Sequence, residues 1–346
     1  MFLNSFNHFR AIAIIFIVAG HSMGLVNIPL ESTFEKTLVN IISGGTFLFV
    51  FISGFLFYYV FYKKFQYRKF IVKKIRNIFI PYILLGIAPV FFYVFLKKDI
   101  YEGYFLPTTD GFLAEYLVPV LKYYWTGAFF NAYWYITFIM ITFICSPLHI
   151  AFIRSSKYVQ LTIIIILSFI SVFIQRPVNN LLVFQSFVFF TPVYLIGIYC
   201  SINRESIYKF FKNKEVYLFF TVVFIAYLQA HSSTLGSYHK PPFIYGSIDL
   251  MFLQKIIFCL FFMVWLHRFE HINNRVVHTV AATSFAIYFI HPYLLWGMNK
   301  FNYVLQTSHP WFVYIALVGS VVVCCICVAL VMKKVTPKFS RYIIGY

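Results

Sequence analysis

The first long apolar stretch of the chain reads Arg10-Ala-Ile-Ala-Ile-Ile-Phe-Ile-Val-Ala-Gly-His21, in which an arginine and a histidine bracket ten small or apolar residues. At about 100° per residue, a helix brings His21 to within roughly 20° of the Arg10 face, about 16 Å further along the axis. In a membrane-spanning helix, His21 would lie near mid-depth, where an ionisable side chain is costly and marks a functional site. The alternative is a snorkelling arginine and a histidine that only hydrogen-bonds a neighbouring helix.

The composition of the whole chain is that of a membrane protein. Its 346 residues are 61% hydrophobic and 11% charged, with 46 Phe and 27 Tyr. Apolar runs of about twenty residues match helices that cross a hydrocarbon core about 30 Å thick. We therefore predict an all-α, polytopic integral membrane protein with about ten transmembrane helices, the first of them retained because no cleavage site follows it. The candidate spans are 9–29, 40–62, 77–96, 131–152, 158–175, 183–201, 214–231, 249–266, 280–300 and 311–332.

The formal net charge of +18 is explained by where the cations lie. With the N-terminus assigned to the cytoplasm, twenty Lys and Arg fall on the cytoplasmic side, seven on the other side, and Lys255 within a span. This is the positive-inside pattern of multi-span membrane proteins, and it predicts that both termini are cytoplasmic. This distribution is compatible with an anionic ligand on the cytoplasmic side and argues against nucleic acid as a partner.

The six cysteines predict neither a disulfide nor a metal site. All lie within or at the ends of candidate spans, and the cluster Cys324-Cys325-Ile326-Cys327 has no nearby His or carboxylate. Polarizable packing explains them. The segment His267-Arg268-Phe269-Glu270-His271 formally matches a zinc-protease pattern, but five residues at a membrane edge carry little information. We expect no bound metal.

The most basic segment joins the second and third candidate spans, with seven Lys and Arg between 63 and 76. Such a segment commonly anchors a protein on acidic lipid. The alternative is a binding site for a phosphate-bearing substrate, because lysines supply point charges and arginine supplies a bidentate fork. Lys73, Lys74 and Arg76 are the candidates for that role.

Three further features have two interpretations each. Ser53-Gly54 is either a helix-packing site or a polar contact to a reacting centre. The long external loop 97–131 is followed by Tyr133-Trp134-Tyr135, which is either an interfacial belt or a surface for the C–H faces of sugars. Lys255 either snorkels or finds a partner, and we expect it to snorkel.

A second intramembrane histidine lies in the ninth candidate span, within Thr283-Ser-Phe-Ala-Ile-Tyr-Phe-Ile-His291-Pro292. Counted from the cytoplasmic end of that span, His291 also comes to about mid-depth. Two histidines at similar depth indicate either one shared polar centre or two unrelated packed side chains.

Five motifs together resemble the acyltransferase-3 family of integral membrane O-acyltransferases. They are Arg10-x10-His21, Phe51-Ile-Ser53-Gly54-Phe55, Arg76-Asn-Ile-Phe-Ile-Pro81, Tyr133-Trp134-Tyr135 and Ser284-Phe-Ala-Ile-Tyr288-Phe-Ile-His291-Pro292. The first is the most specific, and together they cover nearly the whole chain. The resemblance implies a single ten-helix transmembrane acyltransferase domain, residues 1–346, with no appended soluble domain, in a bacterial inner (plasma) membrane.

The resemblance also implies the reaction. Members of the family move an acyl group, usually acetyl from acetyl-CoA, onto sugars of lipopolysaccharide, exopolysaccharide, capsule or lipid-linked precursors. The catalytic residues would be His21 and Arg10, with His21 as the general base or a transient acyl carrier. The residues that would hold the acyl-CoA phosphates are Arg10, Lys73, Lys74 and Arg76. The residues that would line the site are Ser53, Trp134, Tyr288 and His291, with Ser53, Tyr288 or His291 orienting His21.

The expected partners are acyl-CoA as co-substrate, a polysaccharide or lipid-linked sugar as acceptor, and membrane lipids, with no permanently bound cofactor. The acyl group, the acceptor hydroxyl and the choice between a monomer and a homo-oligomer stay open. A transporter or flippase of lipid-linked glycan is the alternative function, because it too needs many helices, polar residues at mid-depth and aromatic contacts to sugars. A purely structural role would leave Arg10 and His21 without importance.

Overall fold

The computed structural model describes residues 3–96, 103–107, 109–300 and 308–346, and its regular elements over these ranges are helices. The part of the predicted external loop at 97–102 and 108 lies outside the described residues. The α-helices are α1 Asn4–Ser22, α2 Thr33–Ile42, α3 Thr46–Leu56, α4 Tyr67–Lys74, α5 Ile80–Phe91, α6 Val118–Thr126, α7 Trp134–Ile144, α8 Ser146–Arg154, α9 Lys157–Ile174, α10 Val183–Ile202, α11 Arg204–Phe211, α12 Glu215–His231, α13 Leu250–His267, α14 Arg275–Ala282, α15 Ser284–Lys300, α16 Pro310–Val335 and α17 Ser340–Ile344.

The helices are long and apolar enough for a multi-pass membrane protein. Seven continuous helical stretches in the described ranges meet the length and hydropathy of a membrane span, and nine do so if each of two bent pairs is one span. The seventh candidate span, 214–231, coincides with α12, an apolar helix of 17 residues. The predicted all-α, polytopic membrane fold is confirmed, and the total of ten spans stays a prediction.

Two of the candidate spans are bent. The fourth bends by 55° between α7 and α8, where Pro147 lies in the first turn of α8 and cannot continue the preceding helix. The ninth bends by 69° at Thr283, between α14 and α15. The second bend places Ser284 against α1, where it accepts a hydrogen bond from Arg10.

The third span starts earlier than its apolar run. We predicted 77–96, but one helical stretch extends from Tyr67 to Leu96 and includes the basic segment from Arg68 to Arg76. On this part of the helix, Phe70 is buried against the rings of Phe57 and Phe143, which belong to other elements. This packing explains why the helix continues through a charged sequence. The cations therefore sit on the first turns of a long helix and not in a separate loop.

A close crossing of α3 and α10 depends on two glycines. A Cβ atom at Gly54 would lie 2.0 Å from the Tyr194 carbonyl oxygen, and one at Gly197 would lie 2.3 Å from the Phe51 carbonyl oxygen. Small residues of this kind let the backbones of membrane helices touch. Gly54 therefore serves helix packing.

Lys255 does not snorkel, and that expectation is wrong. Its side chain is 1% exposed, and Nζ donates to the carbonyl oxygens of Asn40 at 3.0 Å and Ile41 at 2.7 Å. These carbonyls end α2, where the last C=O groups have no helical partner. The break between α2 and α3 brings them within reach of the buried ammonium, which caps the helix.

We predict that Gly54→Ala lowers the free energy of unfolding by at least about 1–3 kcal/mol, because the new methyl would overlap the Tyr194 carbonyl. Thermal unfolding in one detergent measures the change. Gly319→Ala in α16 is the matched control, since a Cβ there meets nothing within 4 Å. Equal unfolding temperatures for the two variants would contradict the packing role.

Candidate functional site

The two predicted intramembrane histidines meet. His21 is near the C-terminal end of α1 and His291 lies in α15, and His21 Nδ1 is 3.1 Å from His291 Nε2. The ring centroids are 5.3 Å apart, and His291 is fully buried. Of the three side chains proposed to orient His21, the structure brings His291 to it.

The hydrogen bonds decide where the protons are in this pair. His291 Nδ1 lies 2.8 Å from the Ile287 carbonyl, which only accepts, so His291 carries its proton on Nδ1. In neutral His291, Nε2 is then an acceptor, and His21 Nδ1–H must donate to it. His21 is left with a lone pair on Nε2. A base whose other nitrogen is fixed by a hydrogen bond is the arrangement used in general-base catalysis.

Helix α1 is fixed at both ends, which positions Arg10 and His21. The Glu270 carboxylate accepts from the backbone N–H groups of Asn4 at 2.8 Å and Ser5 at 3.0 Å at its start. The Tyr314 hydroxyl donates to the Ala19 carbonyl at 2.8 Å near its end. Glu270, part of the zinc-protease pattern, is thus an N-terminal helix partner.

A cavity of about 490 Å³, here called the basic cavity, is lined by many of the predicted donor-binding side chains. Its polar wall consists of Arg10, Ser53, Lys73, Lys74, Asn77, Lys333 and Arg341. Arg76 is exposed and does not belong to this wall. Lys333 and Arg341 were not singled out from the sequence, where they form part of an ordinary cationic C-terminal segment.

The cations of the basic cavity are held by specific contacts. Arg10 donates to the Ser284 hydroxyl at 2.9 Å. Lys74 Nζ lies 4.1 Å from the centroid of the Phe143 ring, and Lys333 Nζ lies 4.1 Å from that of Tyr346. These distances are typical of cation–π contacts, which keep an ammonium in place without neutralising it.

Two tyrosine rings lie between the basic cavity and the histidine pair. Tyr135 lines the cavity, and its ring centroid is 5.7 Å from that of Tyr288. The Tyr288 ring is 6.2 Å from the His291 ring, and its hydroxyl donates to the Ala132 carbonyl. Tyr288 therefore lies beside the histidines, while Ser53 lies on the cavity side of the tyrosines.

Two more cavities lie at the other end of the long helix that carries Lys73. The histidine cavity, about 220 Å³, contains His21, and the aromatic cavity, about 710 Å³, contains Trp134. They share the lining residues Tyr93, Ala128, Phe130 and Asn131. Twenty helical residues separate Lys73 from Tyr93, which places these two side chains about 30 Å apart along the helix axis. The histidine cavity lies nearer to the basic cavity, since His21 is about 16 Å along α1 from Arg10.

Arg176 is a buried cation beside the aromatic cavity that the sequence did not reveal. We counted it among the cations of the outer side, but it is 9% exposed and its Cζ lies 4.4 Å from the centroid of the Trp134 ring. It donates to Ser237 Oγ and to Asn180 Oδ1, both at 2.7 Å. Burial lowers its pKa to about 10, so it stays protonated near neutral pH.

Comparison with known proteins identifies the family of the chain. The family model described as an acyltransferase domain, acyltransferase-3, matches residues 3–330. Proteins of Staphylococcus aureus strains Mu50 and MRSA252, both named "Probable poly-beta-1,6-N-acetyl-D-glucosamine export protein", are 25% identical to this chain over 98% of it and 94% of their own length. No solved structure gives a significant match. Since the family model spans most of the sequence, the chain belongs to the acyltransferase-3 family.

Proposed function

We propose that this protein transfers an acetyl or other short acyl group from cytoplasmic acyl-CoA to a hydroxyl of a cell-surface polysaccharide or its lipid-linked precursor. The observation that carries the proposal is the hydrogen-bonded pair His21–His291, placed between a basic cavity at one end of the helices and a histidine-lined cavity at the other. The excess of cations at the basic end favours a cytoplasmic location for that end and for both termini. The membrane of the proposal is the inner membrane of a bacterium.

The basic cavity suits the donor. Arg10, Lys73 and Lys333 line it, and they would bind the phosphates of acyl-CoA. The rise of about 16 Å from Arg10 to His21 fits an extended pantetheine arm that passes the Tyr135 and Tyr288 rings. The thioester would then lie beside His21 while the nucleotide remains in the basic cavity.

The proposed reaction needs one proton transfer in each direction. His21 Nε2 takes the proton of the acceptor hydroxyl as that oxygen attacks the thioester carbonyl. The C–S bond breaks, the new ester forms, and the imidazolium returns its proton to the departing sulfur. The hydrogen bond to His291 Nε2 stabilises the positive charge that His21 carries in between. A transient acyl-imidazole on His21 is the alternative route through the same geometry.

His21→Ala should lower kcat for acyl transfer by about 10²–10⁴-fold, the usual contribution of a general base. His291→Ala should reduce kcat less, because the base remains but loses its orientation. His291→Gln should restore part of the loss, since an amide oxygen can accept from His21 Nδ1–H. Release of free CoA from acetyl-CoA in the presence of a glycan acceptor measures all three.

The partial rescue separates orientation from packing. If His291→Gln were as inactive as His291→Ala while both remained folded in detergent, the positioning role of His291 would be wrong. Full activity of His21→Ala would exclude the whole mechanism.

Lys73→Gln is expected to raise KM for acyl-CoA about tenfold with little change in kcat, because it removes a phosphate contact and not the base. Lys69→Gln is the matched control: it removes the same charge from the same helix at an exposed position outside the cavity wall. Arg76→Gln should behave like Lys69→Gln. An equal increase in KM for all three variants would mean that only the overall charge matters.

Export of a glycan is the second candidate function. The name of the Staphylococcus aureus relatives favours it, and cavities near both ends of the helices are compatible with it. An exporter would move glycan across a vesicle membrane without acyl-CoA, and the product would carry no new ester. The deciding experiment supplies radioactive acetyl-CoA and measures the label on the glycan. Labelled glycan with the unchanged protein and no label with His21→Ala would show acyl transfer.

A further inference from the structure

The aromatic cavity has a wall of stacked rings. The Phe105 and Tyr123 rings are 4.2 Å apart and inclined by 11°, and the Tyr93 ring lies 5.8 Å from Tyr123 at 19°. Phe130 and Trp134 complete the aromatic lining. Flat ring faces of this kind pack against the C–H faces of sugars, whose hydroxyls point sideways from the ring. A volume of about 710 Å³ is in the range of ligand sites, about 300–1,000 Å³.

Side-chain amides stand beside these rings. Asn131, Asn179 and Asn180 line the cavity, and within the described part of the chain Asn131 and Asn179 make no side-chain hydrogen bond. Asn180 Oδ1 accepts from Arg176, which leaves its NH2 group as a donor. Asn179 and Asn180 adopt positive φ angles of 51° and 56°, a conformation that asparagine tolerates better than most residues. Three amides are therefore available to hydroxyl or acetamido groups.

The described residues of the lining carry no fixed charge. Among the described residues of the cavity wall there is no Asp, Glu, Lys or Arg, and the guanidinium of Arg176 is turned to Trp134, Ser237 and Asn180. Partial burial and the Arg176 charge lower the pKa of the lining imidazole, His239, to about 4, so this ring is neutral at pH 7. Among the described lining residues a sugar carboxylate would find no cation to pair with directly, and desolvating it unpaired would be costly.

From this wall we infer that the aromatic cavity binds an uncharged oligosaccharide, with a sugar ring on the partly exposed ring of Phe105, which Tyr123 supports from behind, and its polar groups on the three asparagines. This inference rests on the proposed function, since the shared lining with the histidine cavity would let one end of the bound chain present a hydroxyl to His21. The cavity would thus select neutral acceptors over acidic ones.

The test measures equilibrium binding to the full chain in lipid nanodiscs by isothermal titration calorimetry, without acyl-CoA. The probes are tetramers of β-linked N-acetylglucosamine, of glucose and of galacturonate. We expect at least one neutral tetramer to bind at least tenfold more tightly than the galacturonate tetramer. Phe105→Ala and Asn131→Ala should each weaken that binding about tenfold, because each removes one contact of the wall.

Two controls keep the inference separate from the proposed function. Tyr245→Ala removes an aromatic side chain that is 88% exposed and does not line the cavity, and it should bind like the unchanged protein. The second control measures acyl transfer by the unchanged protein and by His21→Ala separately from glycan binding. Binding without His21-dependent transfer would disprove the proposed reaction and leave the glycan site standing.

Three results would overturn the glycan site itself. They are the absence of binding of both neutral tetramers, equal or tighter binding of galacturonate, and unchanged binding in both Phe105→Ala and Asn131→Ala. If acetyl-CoA were still cleaved in a His21-dependent manner in that case, the proposed acyl transfer would stand with its acceptor bound elsewhere.

Discussion

The hydrocarbon core of a membrane does not solvate polar groups, so each buried imidazole or ammonium needs a partner from the protein. This constraint organises the centre of the molecule. The Ile287 carbonyl fixes the proton of His291, and His291 then fixes that of His21. Lys255 satisfies the same requirement with the carbonyls that end α2. Because the Ile287 carbonyl can only accept a hydrogen bond, this series of hydrogen bonds leaves the lone pair of His21 on Nε2.

Much of this could be predicted from the sequence, because helical periodicity and membrane depth are local properties. The interval of eleven residues places Arg10 and His21 on one face, and distance from the span end places His291 at a similar depth. Their partnership is not local. The two histidines are 270 residues apart, and their contact depends on how α1 and α15 pack beyond the bend at Thr283.

Charge counting along the sequence predicted the roles of individual cations poorly. Lys255 and Arg176 both look like cations near the outer surface, yet each is buried with defined acceptors. A count along the sequence cannot show that a helix break exposes carbonyls, or that the loop holding Arg176 folds back onto Trp134. Charge counting also cannot show that Arg76 lies outside the basic cavity, although its neighbours Lys73 and Lys74 line it.

The cavities at the two ends are made of different kinds of structure. The basic cavity is walled mainly by helices, whose residues also hold the bundle together. The aromatic cavity takes much of its wall from connecting segments, including residues 128–131, 178–181 and His239. Connecting segments tolerate substitution far better than packed helices do. Under the proposed function, substitutions in these loops would change the acceptor glycan without disturbing the helices that bind the acyl donor.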